Sequence, residues 1–166
     1  RDSYTNLALN YLKLMNQKTD MVFMEVSIDE LVRPLIKRYA IQFIHYQTKL
    51  HYDKSEALIL TDAKWASIMI EQILNNALKY ARGKEVWITF DETTKTLSVR
   101  DNGIGINASD LPRIFEKGFS GYNGRLSEKS SGIGLYIVST ISKRLGHKVG
   151  VVSTLNQGSD FTIQFK

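Results

Sequence analysis

Two pairs of strand-like runs, each pair adjacent in sequence, constrain the fold of this chain more than any other feature. EVWITFD (85–91) and TKTLSVRD (94–101) alternate apolar and polar residues around the turn ETT, and KVGVVST (148–154) runs on into SDFTIQF (159–165). Runs this close pair as antiparallel hairpins. Between them the apolar period becomes helical, in IDELVRPLIKRYAIQFIHYQ (28–47), AKWASIMIEQILNNALKYAR (63–82) and GIGLYIVSTISKRLG (132–146). Hairpins interleaved with helices predict an α+β fold. It is expected to be a two-layer α/β sandwich, with a mixed sheet of about five or more strands and the three main helices on one face.

Boundaries follow from turn and cap chemistry. Ser27 or Asp29 is suited to cap the helix from 28, Thr61 or Asp62 the helix from 63, and Gly83 and Gly146 are natural stops. MVFMEVS (21–27) is strand-like, and TKLHYD (48–53) and EALILT (56–61) are two short strands joined by a polar turn. Ser109 and Asp110 offer caps for a short helix containing LPRIFE (111–116), whereas KGFSGYNGRLSEKSS (117–131) has the composition of a mobile loop. Residues 4–15, YTNLALNYLKLM, fit a helix too short to bury itself, one that needs a partner.

The 166 residues suffice for one domain with a sizeable core, and 43% hydrophobic with 23% charged residues is ordinary globular usage. Lys and Arg give a net charge of +5 but form no run, so nucleic acid is not expected as a partner. The absence of cysteine excludes disulfides and thiolate metal sites. His45, His51 and His147 lie far apart, without the spacing of a zinc site. No stretch reaches the roughly 20 apolar residues of a membrane helix. With Arg1 first and no signal-peptide pattern, the chain is expected to be a soluble piece of something longer.

Four groups of residues carry candidate chemistry. In TLSVRD, Leu97, Val99 and Asp101 share one strand face, so a core-facing Val99 brings Asp101 inward as well. A carboxylate there needs donors. Either a purine amino group, assisted by water, or the turn amides of Asn102 and Gly103 could supply them. Asn102-Gly103 reads as a hairpin turn, yet the chain runs on through Gly105 into helix-capping residues instead of returning as a strand. Two glycines also let backbone approach a flat ligand closely.

On the helix from 63, Gln72, Asn76, Lys79 and Tyr80 fall within an arc of roughly 100°. Such a stripe is either a solvated face or a place where an amide oxygen ligates Mg²⁺ and an ammonium meets phosphate. Asn75-Asn76 in mid-helix is locally unfavourable and favours a functional reason. Gly132 and Gly134 enter a helix whose free N–H groups form an anion site. Ser159, after Gly158, could hold a bridging water beside Asp101 or simply begin a strand.

The order of these signals, with NNALKY, DNGIGI, LPRIFEKGFSG and SSGIGLYIV, resembles the GHKL ATP-binding superfamily, and within it the N, G1, F and G2 boxes of sensor histidine kinases. EKGFSGYNGR and KSSGIGLY are similar to kinases of Gram-positive bacteria that sense cell-envelope antibiotics. The resemblance covers about residues 20 to 166, and residues 4–15 resemble the end of a kinase dimerisation hairpin. It implies residues 1–18 as the end of that hairpin or a linker, and 19–166 as an ATP-binding catalytic domain of the GHKL fold.

By position the resemblance makes Asn76 the Mg²⁺ ligand, Lys79 a phosphate contact and Tyr80 a neighbour of the nucleotide. Asp101, with Ser159, would read the adenine amino group, while Gly103, Gly105 and Ile106 shape the base pocket. Gly132, Ile133, Gly134 and Leu135 would line the phosphate side, with 117–131 as a lid. ATP and Mg²⁺ are the implied cofactors. The implied partners are the parent's own dimerisation and phosphoacceptor domain, a response regulator and, in the full-length protein, a second copy. The implied location is the cytoplasmic side of a cell-membrane protein, reached through segments ahead of this one.

There are departures. Gln72 stands where many histidine kinases have Asn and hydrolysing relatives have Glu, and Glu71 points about 140° away from Asn76. Without a carboxylate aimed at water, phosphoryl transfer is expected over hydrolysis. Ser130 replaces the first glycine of the usual triplet, and Arg125, Lys117 and Arg113 are the bases available for the γ-phosphate. None of the three histidines fits the acceptor motif, so the acceptor is expected outside this chain. The rival readings are a GHKL ATPase without phosphotransfer and a nucleotide-binding scaffold.

Overall fold

The computed structural model describes residues 2–16, 20–119 and 133–166. In chain order they form α1 (Asp2–Met15), β1 (Met24–Ser27), α2 (Ile28–His45), β2 (Lys49–Tyr52), β3 (Leu58–Thr61), α3 (Ala63–Tyr80), β4 (Glu85–Asp91), β5 (Thr96–Asp101), a 3₁₀ turn (Leu111–Arg113), α4 (Gly134–Leu145), β6 (Lys148–Thr154) and β7 (Gly158–Gln164). The strands make a five-stranded mixed sheet in the order β2-β4-β5-β7-β6, beside a two-stranded ribbon of β1 and β3. Only β2 and β4 pair in parallel, Leu50 opposite Val86, since the chain must cross over through α3 to join them.

One face of the sheet is apolar. Val86, Ile88, Leu97, Val99, Phe161 and Ile163 point to it and are buried against α2, α3 and α4. The expected α+β sandwich is therefore observed, while the opposite face carries Thr89, Ser98, Asp160 and Thr162 around a shallow polar depression.

Local chemistry explains the helix starts. Ser27, not Asp29, caps α2: its Oγ accepts from the Glu30 N–H at 3.1 Å, and Glu30 Oε1 accepts from the Ser27 N–H at 2.8 Å. Asp29 instead accepts from Arg33 and from the Tyr52 hydroxyl, at 2.9 Å and 2.6 Å. Asp62, not Thr61, caps α3, one oxygen taking the Trp65 N–H at 3.0 Å and the other the Val22 N–H at 2.7 Å. Gly146 ends α4 at φ 74°, where a side chain is unfavourable.

Three expectations change. The short strands 48–53 and 56–61 are not partners, because β2 joins β4 while β3 pairs antiparallel with β1, Ile59 opposite Val26. The strand expected from 21 begins only at Met24. The helix expected over 111–116 shrinks to one 3₁₀ turn. Asp110 gives it no side-chain cap, and the Ser109 N–H and hydroxyl both donate to Asn107 Oδ1 at 3.0 Å.

The partner that α1 needs is α4. Leu14 is only 2% exposed, Arg144 donates to the Leu14 carbonyl at 3.0 Å, and the rings of Tyr11 and Tyr136 lie 6.1 Å apart.

Candidate functional site

From Trp65 to Tyr80, α3 has no exposed residue; Gln72, Asn76, Lys79 and Tyr80 are all half-buried. A solvated polar face does not fit that setting. Helix α3 packs between α2 and α4, so its polar stripe is partly covered by neighbouring elements. Burial holds the Lys79 ammonium below its ordinary pKa, with Arg82 adding like-charge repulsion. An anion arriving there would meet a partly desolvated cation.

Glu71 is turned away as its helical angle requires. Its Oε2 accepts from the Tyr39 hydroxyl at 2.6 Å and from Arg38 at 3.0 Å, both on α2. Gln72 turns the other way, toward α4: a Cβ built on Gly134 would sit 3.0 Å from Gln72 Oε1.

Asp101 ends β5 with its side chain inward, 5% exposed, directly opposite Ser159 of β7. Its Oδ1 accepts the Gly103 N–H at 2.9 Å. The turn-cap alternative for this carboxylate is thus realised. Burial raises its pKa, opposed by bonds from the backbone of Gly103 and Ser159. An ionised carboxylate offers about four lone-pair directions, so these bonds leave capacity for a further donor.

Ser153, on β6, was not singled out from the sequence, although it shares a strand face with Val149 and Val151. Its Oγ donates to the Gly158 carbonyl at 3.0 Å, accepts the Ile106 N–H at 2.8 Å, and lies 2.8 Å from Ser159 Oγ. A hydroxyl has one proton. With that proton given to the Gly158 carbonyl, Ser159 donates to Ser153 and keeps its Oγ lone pairs beside Asp101; with it given to Ser159 the roles reverse.

The two glycines of the turn serve the protein before any ligand. A Cβ at Gly103 would fall on the Tyr80 carbonyl oxygen, and one at Gly105, whose φ is +70°, on that of Thr154. Close approach is required here between backbone and backbone, whatever else the turn faces. The Ile104 N–H donates to the Tyr80 carbonyl at 3.1 Å and joins the turn to the end of α3. Tyr80, Asp101 and the glycine turn are thus neighbours.

Ile106, Ile133 and Leu135 are half-buried and pack against the core. Gly134 is the first residue of α4, and Ile133 gives that helix no side-chain cap. Gly132, Arg125, Ser130 and the part beyond Phe119 of the segment expected as a lid lie outside the described residues. Of the other two bases, Lys117 stacks over the Tyr11 ring at 5.0 Å and Arg113 over Phe119 at 4.6 Å.

Among the described residues no cluster of three or more His, Asp or Glu could hold a metal. A single amide oxygen, that of Asn76, is a donor set that suits Mg²⁺ shared with phosphate oxygens rather than caged by protein.

A sequence profile of the histidine kinase-, DNA gyrase B- and HSP90-like ATPases matches residues 61–166. The chain belongs to that family. Within these ATPases it is similar to the sensor histidine kinase GraS of Staphylococcus haemolyticus, 38% identical over 158 residues, covering 92% of this chain and 45% of that protein. It is 36% identical to the sensor histidine kinase YxdK of Bacillus subtilis over 148 residues, covering 84% of this chain and 45% of YxdK. The chain thus spans about half the length of these relatives. The fold is that of the full-length ShkA structure in complex with AMPPNP, with a TM-score of 0.79 and 23% identity over 98% of this chain and 35% of that one. It is likewise that of the catalytic domain of histidine kinase ThkA, with a TM-score of 0.75 and 20% identity over 87% and 97%.

Proposed function

We propose that this ATPase-family domain is the ATP-binding catalytic domain of a two-component sensor histidine kinase, transferring the γ-phosphoryl group to a histidine on a dimerisation domain outside this chain. The observation that carries the reading is the polar stripe of α3. It pairs a metal-suited amide with a partly desolvated cation while the neighbouring carboxylate, Glu71, is tied to α2. Such a site binds and positions a triphosphate without aiming a base at water.

In this reading Asp101 and the acceptor Ser159 receive the adenine amino group, directly or through water. Lys79 and the N–H groups at the start of α4 neutralise phosphate charge, and Asn76 supplies an oxygen to Mg²⁺. A Mg²⁺ held by Asn76 would supply neutralisation of phosphate charge. Catalysis is then mainly positioning and charge stabilisation. The acceptor is taken to lie elsewhere because none of His45, His51 and His147 stands in the acceptor motif; of these, His147 is 5% exposed and held by Thr61.

The parent would act as a dimer, with α1 as the end of its dimerisation hairpin, and pass the phosphoryl group to a response regulator. Among the described residues no helix is long and apolar enough to cross a membrane. Attachment to one would come through segments ahead of α1, with this domain on the cytoplasmic side. The similarity to GraS and YxdK supports these assignments.

The test combines calorimetric titration of ATP, with and without Mg²⁺, and addition of the parent's hairpin fragment with labelled ATP. Label on a hairpin histidine is expected. Steady phosphate release without transfer would make the domain an ATPase, and nucleotide binding with neither would make it a scaffold.

A further inference from the structure

We propose that the outward face of α2 docks this domain onto an anionic lipid surface. The proposal is independent of the nucleotide site; only its bearing on the parent rests on the membrane-side location proposed above.

Ile41 and Ile44 are 80% and 77% exposed, the two most exposed large hydrophobic side chains among the described residues. A lone exposed apolar residue is ordinary. These two share one stripe of α2 with Lys37, at i, i+4 and i+7, and the stripe points away from the buried Leu35, Tyr39 and Phe43. Packing therefore does not call for isoleucine there. Helix propensity does not either, since Lys, Gln or Glu would be better helix formers at the same exposed positions.

Positive charge surrounds the pair. Residues 31–52 and 72–84 contain no Asp or Glu. The turn after α3 brings the second stretch against the first: the Gly83 N–H donates to the Tyr46 carbonyl and the Lys49 N–H to the Lys84 carbonyl, both at 2.9 Å. The Arg82 guanidinium lies over the Tyr46 ring at 4.3 Å, and the Tyr46 N–H bonds the Ile44 carbonyl. Lys37, Lys49, Arg82 and Lys84 are exposed, and none enters an ion pair among the described residues, whereas Arg33 and Arg38 are taken by Asp29 and Glu71. The acid that follows Lys84, Glu85, lies 2.6 Å from His51 Nε2.

A planar anionic surface suits this arrangement. A helix face is convex, so the isoleucines can enter the acyl boundary while the cations around them meet headgroups, and Tyr46 has the amphipathic ring favoured at that depth. Nucleic acid suits it less, because a phosphate backbone gives the central isoleucines nothing to contact. Two isoleucines and four cations make a weak anchor alone. A tether ahead of α1 would hold the face near a membrane and raise its effective concentration there.

The experiment is co-sedimentation of the chain with vesicles of phosphatidylcholine alone and with about 30% phosphatidylserine, in about 0.15 M salt. Binding is expected only to the anionic vesicles. Ile41→Ser with Ile44→Ser keeps every charge and should weaken binding by about tenfold or more. Lys37→Gln with Lys84→Gln should weaken it by about 25-fold, at about fivefold for each cation. The control is Lys95→Gln with Lys148→Gln, which removes the same net charge from the other end of the sheet. Lys95 follows β4 where Lys84 precedes it, and Lys148 lies opposite Gln164, itself opposite Thr96. That pair should change binding by less than about threefold. Thermal unfolding checks each variant. No binding to the anionic vesicles, equal binding to the neutral ones, wild-type binding by the isoleucine variant, or equal losses for the two lysine pairs would each overturn the proposal.

Discussion

At the scale of single residues, Asp101 shows how one side chain can serve two ends. Its bond to the Gly103 N–H fixes the turn, and in the proposed reading its inward position beside Ser159 offers acceptors to a base. Asn at 101 can keep the turn bond through its oxygen but presents an amine to the base. Asp101→Asn is therefore expected to reduce the preference for ATP over GTP by about 10- to 100-fold, the worth of a charge-assisted hydrogen bond, with little change in melting temperature. Competition titration of the two nucleotides measures it, and an unchanged preference would remove Asp101 from base recognition. Alternation along β5 was enough to turn this acid inward from sequence alone. The role of Gly103 was not legible there, because what fills its missing side chain is the Tyr80 carbonyl, 23 residues earlier in the chain. Ser153 was missed for a related reason: its importance arises only where β6 is laid beside β7 and the turn at Ile106 folds over both.

At the scale of elements, α3 is the member around which the rest is arranged. Its amphipathic pattern was plain in the sequence, and so was the separation of Glu71 from Asn76. What α2 does with Glu71 was not, since Arg38 and Tyr39 lie more than 30 residues away. The Tyr39 hydroxyl is desolvated and hydrogen-bonded to that carboxylate, and both effects hold its proton firmly. Glu71 is in this account a tether between helices, not a base. Glu71→Gln should leave any phosphate release by the domain unchanged within about twofold, while lowering stability by roughly 1–2 kcal/mol through the weakened bonds. Urea unfolding and a phosphate-release assay together decide it; a tenfold fall in release would make Glu71 catalytic. The pairings of β2 and β3 lay beyond the sequence for a similar reason. Both runs alternate well enough to be strands, but nothing local shows that the chain leaves one sheet for the other between them.

At the scale of the whole molecule, His147 joins the ribbon to the main sheet. Its Nε2 lies 2.8 Å from the Thr61 hydroxyl of β3, its ring meets Phe165 edge-on at 4.8 Å, and its buried Nδ1 has no partner among the described residues. Burial first, and then the charge of Lys166, bring its pKa down to about 4. An unfolded histidine titrates near 6.5, so the unfolded chain takes up a proton that the folded one refuses. This contribution is complete above about pH 6.5 and is lost as pH falls from there toward about 4, by at most about 1.4 kcal/mol per unit. His147→Gln, which can still bond Thr61, should flatten that part of the pH–stability curve in calorimetric melts, and an unaltered slope would assign the acid sensitivity to other groups. The sheet has a second such seam where the main chain itself is packed too tightly for any side chain. At positions 103, 105 and 158 the contact is made by carbonyls, of Tyr80, Thr154 and Asp101 in turn. Replacing these glycines one by one would abolish activity by unseating the scaffold, and a screen scored on activity alone would mistake masonry for recognition.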